Sequence, residues 1–302
     1  MGSFVCQGRL ARFGQGLICL LLVHSVLAQD RSSTMSGPAA TQPETAREIV
    51  GTDVAVRGVV IPTGFQGGRY SAMIQIAVDG SPLPDAAWDL EGSFVSRDRA
   101  QEEFSGRVVA GEPGTPVVLE VQVEFKPGPY ALTLAARETT AGQSGTQELE
   151  GRWPDPNKEP GTVSPVVLLQ PAAGAFVRGE NARRQGALAC RDEDPIRIQL
   201  PIALVSVVCR GAELPDLVRV ERKLGSAAPV DFQTIHLLPG GEQCAQVRDM
   251  IPPGTLRQGH FRYEVHLVTK NGEVASGIRE FDTVAGTHES RGAAPSGSGR
   301  GF

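Results

Sequence analysis

Along most of the chain, apolar and polar positions alternate with a period of two. Ala72, Ile74, Ile76 and Val78 fall on one face of a run that stops at Asp79-Gly80. Val117 to Phe125 reads VVLEVQVEF, with Leu119, Val121, Val123 and Phe125 on one face. Tyr130, Leu132 and Leu134 share a face after Lys126-Pro127-Gly128. The second half repeats this in Leu217 to Glu221, Phe261 to Leu267 and Gly277 to Val284. Successive side chains of an extended chain point to opposite sides, so each run predicts a strand with one buried face. No stretch carries the 3.6-residue period of a helix.

Turn residues punctuate these runs. Asn271-Gly272 and Asp79-Gly80 predict tight hairpins, because Asn, Asp and Gly tolerate positive φ. Trp153 to Gly161 reads WPDPNKEPG. Its density of Pro and Gly predicts the end of one domain and the start of another. The expected organisation is a β-sandwich over 49–152, a Pro-rich linker over 153–163 acting as a rigid spacer, and a second β-sandwich over 164–284. Residues 29–48 and 285–302 are polar and lack an apolar period, so they are expected to be disordered.

The two halves resemble each other. Aligning Gly128 with Gly259 puts Tyr130 on Phe261, Leu132 on Tyr263 and Leu134 on Val265. Each half then shows a Gly turn, an aromatic, an alternating strand, a short turn and a last strand. In immunoglobulin-like sandwiches an aromatic entering the penultimate strand packs at the corner where the chain changes sheet. Tyr130 and Phe261 are the candidates for that corner. The fold class expected is therefore all-β, two tandem immunoglobulin-like (fibronectin-III-like) β-sandwiches with disordered termini. The Pro127-Gly128-Pro129-Tyr130 phrase, the Arg137 strand and the Gly-containing last hairpin also resemble accessory sandwich regions of secreted bacterial proteins related to von Willebrand factor A-domain families. The Asp-x-Ser-x-Ser metal motif of an A-domain is missing, so the resemblance implies sandwich modules without metal-dependent adhesion.

The N-terminus changes the picture of where this fold resides. Leu17 to Ala28 (LICLLLVHSVLA) follows Arg9 and Arg12 and closes on Val26-Leu27-Ala28. That is the three-part pattern of a secretory signal peptide over 1–28. The apolar run is shorter than the ~20 residues a spanning helix needs, so no stable membrane insertion is expected after cleavage. The formal charge of −5 becomes more negative once Arg9 and Arg12 leave. A nucleic-acid groove needs a concentrated basic surface, so that partner class is not expected. A secreted or periplasmic location is.

Cys190, Cys209 and Cys244 remain after cleavage. In an oxidising compartment three cysteines allow one bridge. Cys209 ends the run PIALVSVVC and Cys244 begins CAQVRDMI. The second and fifth strands of such a sandwich are antiparallel neighbours, which favours Cys209–Cys244, with Cys190–Cys209 as the alternative. The leftover thiol could serve as a nucleophile only beside a histidine. His236, His260 and His266 carry no recognised flanking motif.

Other candidate chemistry is thin. Asp192-Glu193-Asp194 offers oxygen ligands but lacks the spacing of a calcium loop. Trp88 shares a face with Leu90 and is expected in the core, whereas Trp153 at the domain junction and the small basic loop of Arg178, Arg183 and Arg184 are the candidate interaction residues. The sequence holds no nucleophile elbow, zinc-protease helix, phosphate loop or dinucleotide fingerprint. No catalytic, metal or cofactor residue is assigned and no cofactor is expected. The function expected is a non-catalytic extracytoplasmic protein-interaction or structural module with an unidentified protein partner. The alternative is a polysaccharide-binding or hydrolase-accessory module, which would need an exposed aromatic platform.

Overall fold

The computed structural model describes residues 45–48, 54–79, 85–98, 101–140, 142–211, 214, 216–225, 230–239 and 243–285. The expected signal peptide, most of the 29–48 lead-in and the tail beyond 285 lie outside the described residues. Every regular element among those described is a strand. In the first half these are β1 (Thr45–Glu48), β2 (Val56–Gln66), β3 (Arg69–Val78), β4 (Ala87–Ser96), β5 (Gln101–Val109), β6 (Val117–Phe125), β7 (Gly128–Glu138) and β8 (Ser144–Trp153). The second half begins with β9 (Gly161–Val163), β10 (Val167–Arg178), β11 (Asn181–Cys190), β12 (Ile196–Arg197) and β13 (Ile202–Arg210). It continues with β14 (Val218–Gly225), β15 (Val230–Asp231), β16 (Ile235–Leu237), β17 (Cys244–Ile251), β18 (Gly259–Thr269) and β19 (Gly272–Val284).

These strands form three sheets. One has the order β1-β8-β7-β4-β5 and another β12-β19-β18-β14-β15, with β16 also on β14. The third, β17-β13-β10-β6-β3-β2, carries β11 on β10 and β9 on β13, and it runs through both halves. Its β2-β3-β6 part packs on the first sheet around Ile74, Trp88, Leu132 and Leu134. Its β9-β13-β17 part packs on the other around Leu204, Val220, Val265 and Leu267. Period-two burial is plain in β7, whose residues alternate between buried and more exposed along its full length. Each fully buried Leu, Ile or Val contributes about 1.5–3 kcal/mol, so loss of one face's pattern would unfold either sandwich.

The same succession of pairings occurs twice. The alignment of Gly128 with Gly259 places β7 on β18, and both glycines open their strand at positive φ. Tyr130 is buried against Phe94 and Phe125, and Phe261 stacks on Phe281.

Strand β10 joins the halves. Its Val167–Leu169 segment pairs antiparallel with Ala203–Val205 of β13, while Ala175–Arg178 pairs parallel with Val117–Glu120 of β6. A bulge between Ala173 and Phe176 bends the strand where it changes partner. Gly174 makes the bend feasible, since a Cβ there would stand 2.5 Å from the Pro116 carbonyl oxygen. The neighbouring Ala175 N–H donates to that same oxygen at 2.9 Å.

Strand β13 is buried at every position. It gives Leu204 and Val208 to the second core, Val207 and Cys209 to the first, and Ala203 and Val205 to a bridging cluster with Ile61, Val167 and Leu169. A continuous apolar run is the mark of a strand covered on both faces. The halves are thus joined by a shared sheet and an apolar seam. The segment read as a spacer starts on the last residue of β8 and ends in β9.

Several local expectations differ from the fold. Thr45–Glu48, placed in the disordered lead-in, pairs antiparallel with Gln147–Glu150 of β8. Main-chain pairing needs no apolar side chains, which is why the polar segment concealed it. Asp79 does not open a hairpin, because β3 and β4 belong to different sheets and the chain crosses between them. Gly80 lies outside the described residues. Near Asn271, Thr269 pairs with Gly272, and Gly272 alone of the turn has positive φ. The unanticipated tight turn is Gly67-Gly68, both at positive φ, between Gln66 and Arg69. No helix among the described residues is long and apolar enough to cross a membrane.

Candidate interaction cleft

The sequence-selected arginines do not form a loop. Arg178 closes β10, and Arg183 and Arg184 lie in β11. Arg178 Nε and an Arg183 guanidinium nitrogen both donate to Glu120 Oε2, at 2.8 and 2.6 Å. Glu120 is buried, and Gln75 Nε2 donates to its other oxygen at 3.2 Å. Gln75 also donates to the Ala187 carbonyl and accepts from the Ala189 N–H. The group clamps the β10–β11 hairpin onto β3 and β6. It occupies two of the three arginines and leaves Arg184 exposed.

Both tryptophans are internal. Trp88 is 0% exposed and Trp153 1% exposed. Trp153 packs edge-on against Tyr70 and Phe125, so it offers no surface to a partner, correcting its selection as an interaction residue. Its position at the end of β8 turns it into the closing plug of the first core. Exposed large apolar side chains among the described residues are all aliphatic: Val109, Leu217, Leu238, Met250 and Ile278.

Cys209 and Cys244 are bonded, and they sit directly opposite one another on β13 and β17. Cys190 remains a free thiol. Burial, reinforced by the nearby Asp194 carboxylate, pushes its pKa up to about 12. It therefore holds its proton at neutral pH, unlike an activated nucleophile. The thiol lies 3.8 Å from the Leu188 carbonyl oxygen. Among the described residues no three His, Cys, Asp or Glu side chains are arranged to hold a metal.

Asp192, Glu193 and Asp194 diverge instead of converging. Asp192 pairs with Arg279, Glu193 with Arg191 and Asp194 with Arg57. Arg57 also pairs with Asp79, whose carboxyl burial holds above its ordinary range against the pull of that guanidinium. The Arg279 guanidinium further donates to the Cys190 carbonyl at 2.9 Å. These pairs fix the segment after β11 between the two halves.

That segment is one wall of a cavity of about 610 Å³. Gly58 and Val59 of β2 with Gln147 and Leu149 of β8 form the side given by the first half. The buried Gln147 Oε1 accepts from the Gly58 N–H at 2.6 Å and ties the two facing sheets together. The floor is the turn Ser164 to Val167, tied to β13 by the Ser164 N–H to the Val207 carbonyl and the Val207 N–H to Ser164 Oγ, both at 2.8 Å. The remaining wall is β19, from Ser276 through Asp282.

Residues of both parities along β19 line the cavity, although their side chains alternate between faces. Only the edge of a strand presents both parities. Beyond β18, the described neighbour of β19 is β12, which reaches it at Thr283 and Val284 only. The edge along Ser276–Asp282 is therefore open to the cavity. His260 stands at the same rim with its Nδ1 3.0 Å from Asp282 Oδ1.

Sequence reasoning did not identify this cleft. Its parts come from β2, β8, β11 and β19, and none carries a motif. Glu120 had one legible signal: Val117 and Val118 are both apolar, which marks a strand start buried on both faces.

No protein-family model matches the chain, and no curated protein sequence matches it. Among solved structures, red sea bream transglutaminase is similar over 80% of this chain and 32% of its own, at 9% identity and a TM-score of 0.23. The chain spans about a third of that protein's length.

Proposed function

We propose that the protein is a non-catalytic extracytoplasmic interaction module of two fibronectin-III-like sandwiches, related to the accessory sandwich regions of von Willebrand factor A-domain proteins, and that it meets its protein partner at the inter-sandwich cleft. Support for the fold reading is the repeated pairing: β2-β3-β6 against β5-β4-β7-β8, then β9-β13-β17 against β15-β14-β18-β19. A three-strand sheet facing a four-strand sheet in that succession suits a sandwich of this class. The β10–β11 hairpin is then an insertion between the first two strands of the second module. The disulfide supports an oxidising compartment, where such bridges persist.

The open edge of β19 beside an apolar-floored cavity carries the functional reading. Unpaired strand edges are aggregation hazards that proteins cover, charge or put to use. The polysaccharide alternative draws no support from the rings, since Trp88 and Trp153 are buried and the exposed large apolar side chains are aliphatic.

The test is fractionation of the native host followed by cross-linked affinity capture from the extracytoplasmic fraction. The expected result is a mature chain beginning near Gln29, with the Cys209–Cys244 bridge formed, in complex with a second protein. Recovery of the unprocessed chain in the cytosol, or of a monomer alone after cross-linking, would refute the reading.

A further inference from the structure

We infer that the inter-sandwich cleft binds an extended polypeptide segment that adds as a strand to the open edge of β19, with apolar residues on its inward face and Lys or Arg at the rim. This rests on the interaction reading above and names the chemistry of the partner.

The main chain supplies the first argument. Along Ser276–Asp282 alternate N–H and C=O groups point away from β18 into the cavity. A strand laid beside them would take up those groups in the ordinary ladder. At a rise of about 3.3 Å per residue the open stretch matches an extended segment of six or seven residues. The cavity falls within the range of about 300–1,000 Å³ typical of ligand pockets.

The lining sets the side-chain chemistry. Val59, Leu149, Val166 and Phe281 line the interior with apolar side chains, and Ile278, on the opposite face of β19 from Phe281, stands 45% exposed at the rim. Four carboxylates line the cavity, Asp192, Glu193, Glu280 and Asp282, against two guanidiniums, Arg191 and Arg279. The guanidiniums are the more buried and are engaged with Glu193, Asp192 and the Cys190 carbonyl, whereas the four carboxylates are each more than half exposed. Arg262 also reaches Glu280 at 3.7 Å from outside the cleft, so the carboxylates exceed the guanidiniums by one and the rim presents a modest negative potential to an incoming chain. Cationic side chains at alternate positions would meet it while the opposite face of the segment meets the apolar interior.

A second copy of the same edge does not supply the cationic face. Two Ser276–Asp282 stretches in full antiparallel overlap would set Ile278 opposite Glu280 and Ser276 opposite Asp282, and neither offers a positive charge to those carboxylates.

The experiment uses a capped heptapeptide alternating lysine and valine, its glutamate–valine counterpart, and a lysine–valine version N-methylated on alternate amides. Binding to the full mature protein is read by fluorescence anisotropy and by amide shifts of Ser276–Asp282. The lysine–valine peptide is expected to bind with a Kd below about 1 mM. Glu280→Lys/Asp282→Lys should weaken it about tenfold or more and invert the preference toward the glutamate peptide. N-methylation should abolish binding, because it removes the ladder donors. Thermal melts of the rim variant, altered only at exposed positions, verify that it folds.

Equal binding of the two peptides, undiminished binding of the N-methylated one, or no saturable binding would overturn the proposal. So would amide shifts confined to another strand edge, or a concentration-dependent dimer that consumes the same amides. Partner capture that survives in the rim variant would remove the cleft assignment while leaving the interaction reading intact. Peptide binding without any captured partner would do the reverse.

Discussion

Replacing Glu120 by Ala should loosen the β10–β11 hairpin from the first sandwich before either sandwich unfolds. The carboxylate is 3% exposed and accepts from Arg178, Arg183 and Gln75. A hydrogen bond to a charged group contributes about 1.5–3 kcal/mol when desolvated. Both guanidiniums, however, are about half exposed, so each contact falls toward the surface-pair range of about 0.2–1 kcal/mol. Gln75 keeps its bonds to Ala187 and Ala189, so it is not orphaned. Adding the small cavity left by the side chain, the expected loss is roughly 2–3 kcal/mol. Glu120→Gln keeps the shape and should lose about half as much. A double-mutant cycle with Arg183→Ala should give a coupling of about 1 kcal/mol. Urea unfolding measures the loss, and hydrogen exchange measures its place, with β11 amides losing protection ahead of β7 and β18. A loss under about 0.5 kcal/mol with unchanged exchange in β11 would refute the reasoning. Packing of Phe176 and Leu188 would then suffice to hold the hairpin.

Three further outcomes follow from the same structure. Cys209→Ala/Cys244→Ala opens a bridge of sequence separation 35 and should cost roughly 3–4 kcal/mol on the chain-entropy account; a denaturation midpoint unchanged from wild type would contradict it. Cys190, its pKa raised from 9.0 to about 12, should carry about a thousandfold less thiolate at pH 8 than an ordinary cysteine and resist iodoacetamide until the chain unfolds. Because the folded pKa is the higher one, the contribution of Cys190 to stability is full below pH 9 and declines as pH rises from 9 toward 12, a trend Cys190→Ala should remove. Tyr263 donates to Asp249 at 2.5 Å beside Arg222, and burial raises its pKa, so Tyr263→Phe should cost about 1–3 kcal/mol in a denaturant titration.

Alternation in runs such as VVLEVQVEF and PYALTLAAR determined that the chain is all-β and which face of most strands is buried. Period two is a local property, readable without knowing what covers the face. The position of Cys209 at a strand end and Cys244 at a strand start favoured their pairing once a sandwich topology was assumed, because antiparallel neighbours bring the end of one strand beside the start of the other. The unbroken run PIALVSVVC carried a further message, that both faces of β13 would be covered, without saying by what.

What covers them was decided only in three dimensions. Strand β10 serves β13 with one end and β6 with the other, an exchange set by the bulge at Gly174 and by the approach to Pro116. Glu120, Gln75, Arg57 and Arg279 acquire their roles from partners up to 137 residues away. The cleft has the same origin, since an edge is open or closed according to which strands lie beside it. Alternation sets each strand's faces, but the long-range pairing that leaves one edge of β19 free along Ser276–Asp282 exists only after the whole chain has packed.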